Sequence, residues 1–306
     1  MRVKYQIAII NVMINYLFAF CLILCWGVPF LASKNIVAVL PPYWGTFLIV
    51  LTGLLFFIIL FTLQHAKLSC PLKELWRPWV IGFLLILLPF TARSWGLQYT
   101  DPTIGGIVNG SVPIWSFLAG AVLLKGQDRF TWRRALGVTI GLLGLLVSRD
   151  IGSLSVTTLS LLGYAALLIM ALSYGVGNVI TKKIMVDSTA VSWQANTLHQ
   201  YLFSAAVLGI IALSVEPTPH LQVFDTKLVL SILIAGVFSS AVAFLLMLAL
   251  LKRWGATRMA SLTYFTPVIA MLTDIIFRAR TPLMRELIGL FFIFISLWLI
   301  QKQVKN

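Results

Sequence analysis

An all-α membrane fold of ten transmembrane helices, arranged as a 5+5 inverted repeat, is what the sequence predicts. Three observations carry that prediction. Apolar residues make up 60% of the 306-residue chain and charged residues only 10%, where a soluble domain carries about 25% charged residues. The apolar residues fall into runs of about 20, the length that spans a bilayer core. Short stretches of sequence also recur at a nearly constant offset between the two halves.

The first apolar stretch, Ile7 to Leu31, is too long for the h-region of a cleaved signal peptide and has no clear small-x-small cleavage site, so it reads as the first span. The following spans are expected near 43–64, 78–98, 103–124, 132–148, 158–181, 190–214, 228–251, 257–277 and 284–301. The longest connections, 32–42, 65–77 and 215–227, are short and contain proline, which leaves no room for a soluble domain.

Charge sets the orientation. The net charge of +14 suggests nucleic acid at first sight, but the basic residues sit in small clusters between spans, as loops require. One set of alternate loops and ends carries 16 Lys and Arg, the other carries 6, and Arg93 lies inside a span. Positive residues stay on the cytoplasmic side, so both termini are expected in the cytoplasm of a multi-pass inner-membrane protein with the lipid bilayer as its main partner and no nucleic acid.

LCWGVPF at 24–30 aligns with LSYGVGN at 172–178, an offset of 148, and GIVNGSVPIWSFLAG at 106–120 aligns with ASLTYFTPVIAMLTD at 260–274, an offset of 154. The chain thus divides into five-helix repeats at 1–150 and 151–306. An odd number of spans per half inverts the second half, and secondary transporters built this way bind substrate near the midplane between the halves.

The Trp26-Gly27 pair after an apolar run, the Leu-Gln-Tyr-Thr stretch at 97–100, Asn109 four residues before Pro113, and Asp128 and Thr131 before Gly137 resemble the EamA repeat of the drug/metabolite transporter superfamily. A weaker second copy has Ser-Tyr-Gly at 173–175, then Gly255, Ala256, Thr263, Pro267 and Gly289. The resemblance covers nearly the whole chain. It implies a secondary transporter or exporter of small organic solutes such as amino acids or related metabolites, working by alternating access. Arg93 departs from the family pattern.

Candidate substrate-binding residues follow from depth and pairing. Gly106, Asn109, Pro113, Ser116 and Gly120 form one small and polar helix face, which the offset of 154 maps onto Ala260, Thr263, Pro267, Ala270 and Asp274. Such faces serve close helix packing or line a cavity. Arg93 and Asp274 are ionisable residues within spans, where burial costs at least ~2.5 kcal/mol. They sit about 7 Å and about 10 Å from their span centres towards the outer face. They are expected as an ion pair, as snorkelling or locally bonded groups, or as an anion-binding group with its counter-ion or proton carrier. His199, near the middle of the seventh span, is either a hydrogen-bonded structural residue or a proton-coupling group. Trp26, Tyr174, Asn178 and Tyr264 fall at matched or facing positions near the midplane, against a background of core and belt aromatics.

No catalytic residues and no metal site are expected. His65 and His220 fall in opposite loops, Cys21, Cys25 and Cys70 have no ligand spacing, and nucleophile-elbow, zinc-peptidase and phosphate-loop motifs are missing. No cofactor follows, and active transport would run on ion or proton gradients. A lipid-modifying enzyme or a non-transporting assembly protein are the alternatives. Gly137, Gly141 and Gly144 fit either association into a homodimer or packing within the chain.

Overall fold

The computed structural model describes residues 2–27, 29–100, 102–124, 131–147, 157–186, 191–265, 269, 281 and 283–301, excluding the side chains of 2–12, 103, 186, 286 and 301. The described residues are helices, turns and loops, with no β-strand among them. The helices are α1 (Arg2–Gly27), α2 (Pro29–Val37), α3 (Pro42–Leu63), α4 (Trp76–Gly82), α5 (Leu88–Tyr99), α6 (Pro102–Asn109), α7 (Val112–Leu123) and α8 (Trp132–Val147). After these come α9 (Thr158–Thr181), α10 (Trp193–Val215), α11 (Thr226–Leu233), α12 (Ala243–Trp254), α13 (Ala256–Ala260) and α14 (Met284–Gln301).

Several of these helices join into longer rods. Seven rods are long and apolar enough to cross a membrane: Met13–Val37, Pro42–Leu63, Leu72–Tyr99, Ile104–Leu123, Thr158–Met185, Trp193–Val215 and Thr226–Trp254. Each overlaps one of the ten expected spans. The expected fifth span is α8, a 16-residue helix that begins Trp-Arg-Arg. The tenth is α14, whose apolar part runs only from Leu287 to Ile300. The ninth is described to Phe265, and the rest of it, including Asp274, lies outside the described residues except for Ile269. Large apolar side chains such as Leu55, Ile59, Ile210 and Leu213 point outward, which suits a molecule whose surroundings are lipid tails.

Of the three π-helical stretches among the described residues, Lys182–Val186 ends the α9 rod and the other two interrupt matched rods. Phe83–Leu87 links α4 to α5, and Ile234–Val242 links α11 to α12. They begin 151 residues apart, within the range of the repeat offsets. In each, a backbone N–H reaches five residues back, Leu88 to Phe83 and Ala243 to Phe238. The first has a plain cause: Pro89 supplies no N–H and its ring would clash with the carbonyl of Leu85 in a regular α-turn, so the turn widens. The second contains no proline. There the rod presses on α3, where a Cβ on Gly236 would fall 1.8 Å from Thr52 Oγ1.

Loop contacts define the two ends of the bundle. At one end Lys34 Nζ donates to the carbonyls of Leu97 (2.7 Å) and Thr100 (3.0 Å), closing the C-terminus of α5. At that same end Glu216 accepts from the backbone N–H groups of Tyr43 and Trp44 at the start of α3. At the other end Ser192 donates to Lys67 O, and Arg77 pairs with Glu74. The glycine stripe of α8 is filled from within the chain: Cβ atoms on Gly137 and Gly144 would meet Ile300 and the Gly289 carbonyl of α14 at 2.8 Å. Packing inside the chain is therefore what this stripe does here.

Candidate functional site

A central cavity lies between helices of both halves. About 710 Å³ of atom-free space, including its open mouth, is lined by residues from α1, α2, α5, α6, α7, α9, α10, α12, the two interrupting π stretches and the segment after α13. Five of the eight residues expected at the site meet there: Trp26, Arg93, Asn109, Tyr174 and Asn178.

The elements that carry these residues explain their aim. The π turn at 83–87 and Pro89 set the rotation of α5, which buries the face carrying Pro89, Phe90, Arg93 and Leu97. On α9, Ser173 donates to Leu84 O at 2.7 Å, and Gly175 is so close to α7 that a Cβ would stand 2.2 Å from the Cβ of Trp115. Ser116 of α7 donates to Gly175 O at 3.2 Å. These contacts hold Tyr174 and Asn178 against the cavity. Asn109 ends α6, where the chain turns at Gly110 and Ser111 before Pro113.

The polar chemistry is concentrated in a few groups. Arg93 is 4% exposed, and its Nε and Nη2 have no hydrogen-bond partner among the described residues. Its guanidinium lies 4.7 Å from the ring centroid of Phe90, a cation–π contact. Phe90 in turn meets Tyr174 edge-on at 6.5 Å. Asn109 and Asn178 are 6% and 4% exposed, and their amides bond to no described residue. Tyr201 and Ser240 share a 2.6 Å hydroxyl–hydroxyl bond at the wall, beside the buried Ser239 Oγ, which has no partner among the described residues. Trp26, Phe30, Phe244 and Met247 complete an apolar wall.

Two of the other expected residues, His199 and Tyr264, are not at the cavity. His199, part-buried early in α10, donates from Nε2 to the carbonyl of Leu68 at 3.3 Å, in the loop before α4. Tyr264 is fully buried and donates to Val138 O of α8 at 2.9 Å, wedged where Gly141 leaves room. The neighbouring Thr263, in the same 3-10 turn at Ser261–Phe265, lines the cavity. Asp274 lies outside the described residues, so its pairing with Arg93 has no geometry to report.

Sequence reasoning missed Tyr201, Ser239, Ser240, Phe90 and Phe244. A signal existed for Phe244, which stands 151 residues after Arg93 and so at the equivalent place in the second half. The adjacent Ser239-Ser240 pair inside an otherwise apolar span was another.

A multi-pass bundle of apolar helices around a polar, partly unsatisfied central cavity defines a membrane transporter by class. The chain belongs to the EamA-like transporter family, which it matches over residues 13–149 and again over 161–301. It is 26% identical over 268 residues to an uncharacterized transporter of Buchnera aphidicola subsp. Schizaphis graminum, covering 88% of this chain and 87% of that one. It is 28% identical to the uncharacterized transporter YvbV of Bacillus subtilis, covering 93% and 90%. A protein of Salmonella typhimurium named "Probable amino-acid metabolite efflux pump" is 22% identical, over 92% of each chain. One crystal structure is similar in fold with a TM-score of 0.72 at 20% identity, covering 93% of this chain and 95% of that one.

Proposed function

We propose that this EamA-family transporter is a secondary exporter of small organic solutes, amino acids or related metabolites, across the inner membrane by alternating access. The observation that carries this reading is the pairing of cavity-lining residues across the repeat. Trp26 and Tyr174, and likewise Asn109 and Thr263, are offset partners, and all four line one cavity. A binding site assembled symmetrically from two halves is what rocking of one half against the other requires.

In this reading residues 1–150 and 151–306 are two five-helix repeats of opposite orientation, ten spans in all, with both termini in the cytoplasm. The name of the Salmonella relative favours amino-acid metabolites and outward movement. No nucleotide-binding motif occurs in the chain, so the driving force is an ion or proton gradient, or the solute's own gradient. A lipid-modifying enzyme would gather histidines or carboxylates at one membrane face; among the described residues the cavity is lined by neither.

Flux into proteoliposomes tests the reading. Labelled amino acids and organic anions are screened one by one, and the purified chain should accelerate uptake or counterflow of at least one of them well above protein-free vesicles. Absence of flux for every solute, with the protein shown to be folded and inserted, would overturn it.

A further inference from the structure

Among the described residues, the cavity lining holds one permanent cation, Arg93, and no carboxylate. Buried charges are ordinarily paired, because removing a guanidinium from water is costly. Here the described residues leave Nε and Nη2 without acceptors, and the contact with Phe90 offsets only part of that cost. A bound anion would supply the missing acceptors, and the planar fork of arginine fits the two oxygens of a carboxylate.

The rest of the lining says what surrounds that anionic group. Asn109 and Asn178 line the cavity with amides that bond to no described residue, able to donate to or accept from one further polar group. Trp26, Phe30, Phe244 and Met247 offer an aromatic and apolar wall. The repeat adds an asymmetry. Where α5 carries Arg93, α12 carries Phe244 at the equivalent place, so one half furnishes a charged end and the other an apolar end.

Resting on the transporter reading above, we propose that Arg93 binds the carboxylate of the transported solute while its apolar or aromatic body lies against the Trp26–Phe244 wall. The cavity thereby takes organic monocarboxylates, and an ammonium group on the solute is not required. A ligand whose only charge is positive meets Arg93 with no carboxylate among the described lining to offset it and is disfavoured.

The full-length protein, purified in detergent, is tested by ligand-dependent thermal stabilisation with 3-phenylpropionate, its neutral amide, 2-phenylethylamine and sodium chloride. The carboxylate should raise the melting temperature of the wild type in a saturable manner, and the other three should not at equal concentration. Arg93→Gln should weaken the apparent affinity for 3-phenylpropionate roughly 10–100-fold, the loss expected for a charge-assisted bidentate contact. Should Arg93→Gln fail to fold, Arg93→Lys keeps the charge, loses the fork and should still bind about tenfold more weakly. Absence of stabilisation by 3-phenylpropionate, equal stabilisation by amine, amide or chloride, or undiminished binding by a folded Arg93 variant overturns the proposal. Counterflow separates the two readings. Transport of labelled amines or neutral solutes that survives Arg93→Gln preserves the transporter and removes the anion site, whereas carboxylate binding without flux of any solute does the reverse.

Discussion

At the scale of single residues, the cavity separates side chains that hold helices from side chains kept free. Asn109 bonds to nothing described, so Asn109→Ala removes no internal hydrogen bond and should leave folding almost unchanged. Tyr174 meets Phe90 at 6.5 Å and packs against the apolar clusters around it, so Tyr174→Ala removes wall and also some packing. Both variants should transport more slowly, with membrane levels of folded protein, read by fluorescence-detected size exclusion, near wild type for Asn109→Ala and lower for Tyr174→Ala; wild-type rates per folded molecule in both would misplace the cavity. Gly175 is the opposite case. A Cβ there would stand 2.2 Å from that of Trp115, and 2.9 Å from the backbone N of Ser116, so neither side can yield by a rotamer change. Gly175→Val should cost about 1–3 kcal/mol through overpacking, measured as a lower midpoint of thermal unfolding in detergent. An unchanged midpoint would show that α7 and α9 are not in contact.

At the scale of elements, the repeat offsets made part of the site legible in the sequence. They pointed to Trp26 with Tyr174 and to Asn109 with Thr263, because a helix position equivalent in both halves meets the same central space. Local backbone geometry was the illegible part. Thr263 reaches the cavity as the offset predicts, but Tyr264, expected beside it, lies in the 3-10 turn at 261–265 and bonds to α8 instead. His199 reads as mid-span only if the seventh span starts at 190; α10 starts at Trp193, capped by Ser192, and leaves the ring near the loop. The interrupting π stretches were also hidden, since only Pro89 announces one. They supply Leu85, Ile86, Ser239 and Ser240 to the lining, and a π-turn commonly equals one extra residue in a helix. Deleting the exposed Phe238 should restore α-geometry over 234–242, keep the flanking register, and withdraw Ser240 from its 2.6 Å bond with Tyr201. Helix content by circular dichroism should be unchanged while flux falls at least about tenfold, as expected when π-bulges sit at functional sites; normal flux would make the wide turn incidental.

At the scale of the whole molecule, orientation in the membrane joins the charge pattern to the loop contacts. The 16-to-6 bias of Lys and Arg predicts that one set of alternate loops faces the cytoplasm. The hydrogen bonds group the loops independently of charge. Lys34 with Leu97 and Thr100, and Glu216 with Tyr43 and Trp44, gather 32–42, 99–100 and 215–227 at one end. Ser192 with Lys67, and His199 with Leu68, gather 65–75 and 191–193 at the other. The second group belongs to the basic set, with Lys67, Lys73, Arg77, Lys182 and Lys183 in or beside it, while the first contains Lys34 and Lys227. Charge and contact thus sort these loops the same way, and the sorting predicts which end faces the cytoplasm. A reporter active only in the periplasm should be silent when fused after Asn306 and active when inserted at His220, in the exposed turn between α10 and α11. A reporter active only in the cytoplasm should give the reverse. Activity of the periplasmic reporter at Asn306, or its silence at both sites, would invert or break the arrangement. The two halves would then meet the opposite compartments, and the outward direction proposed for transport would have to be argued anew.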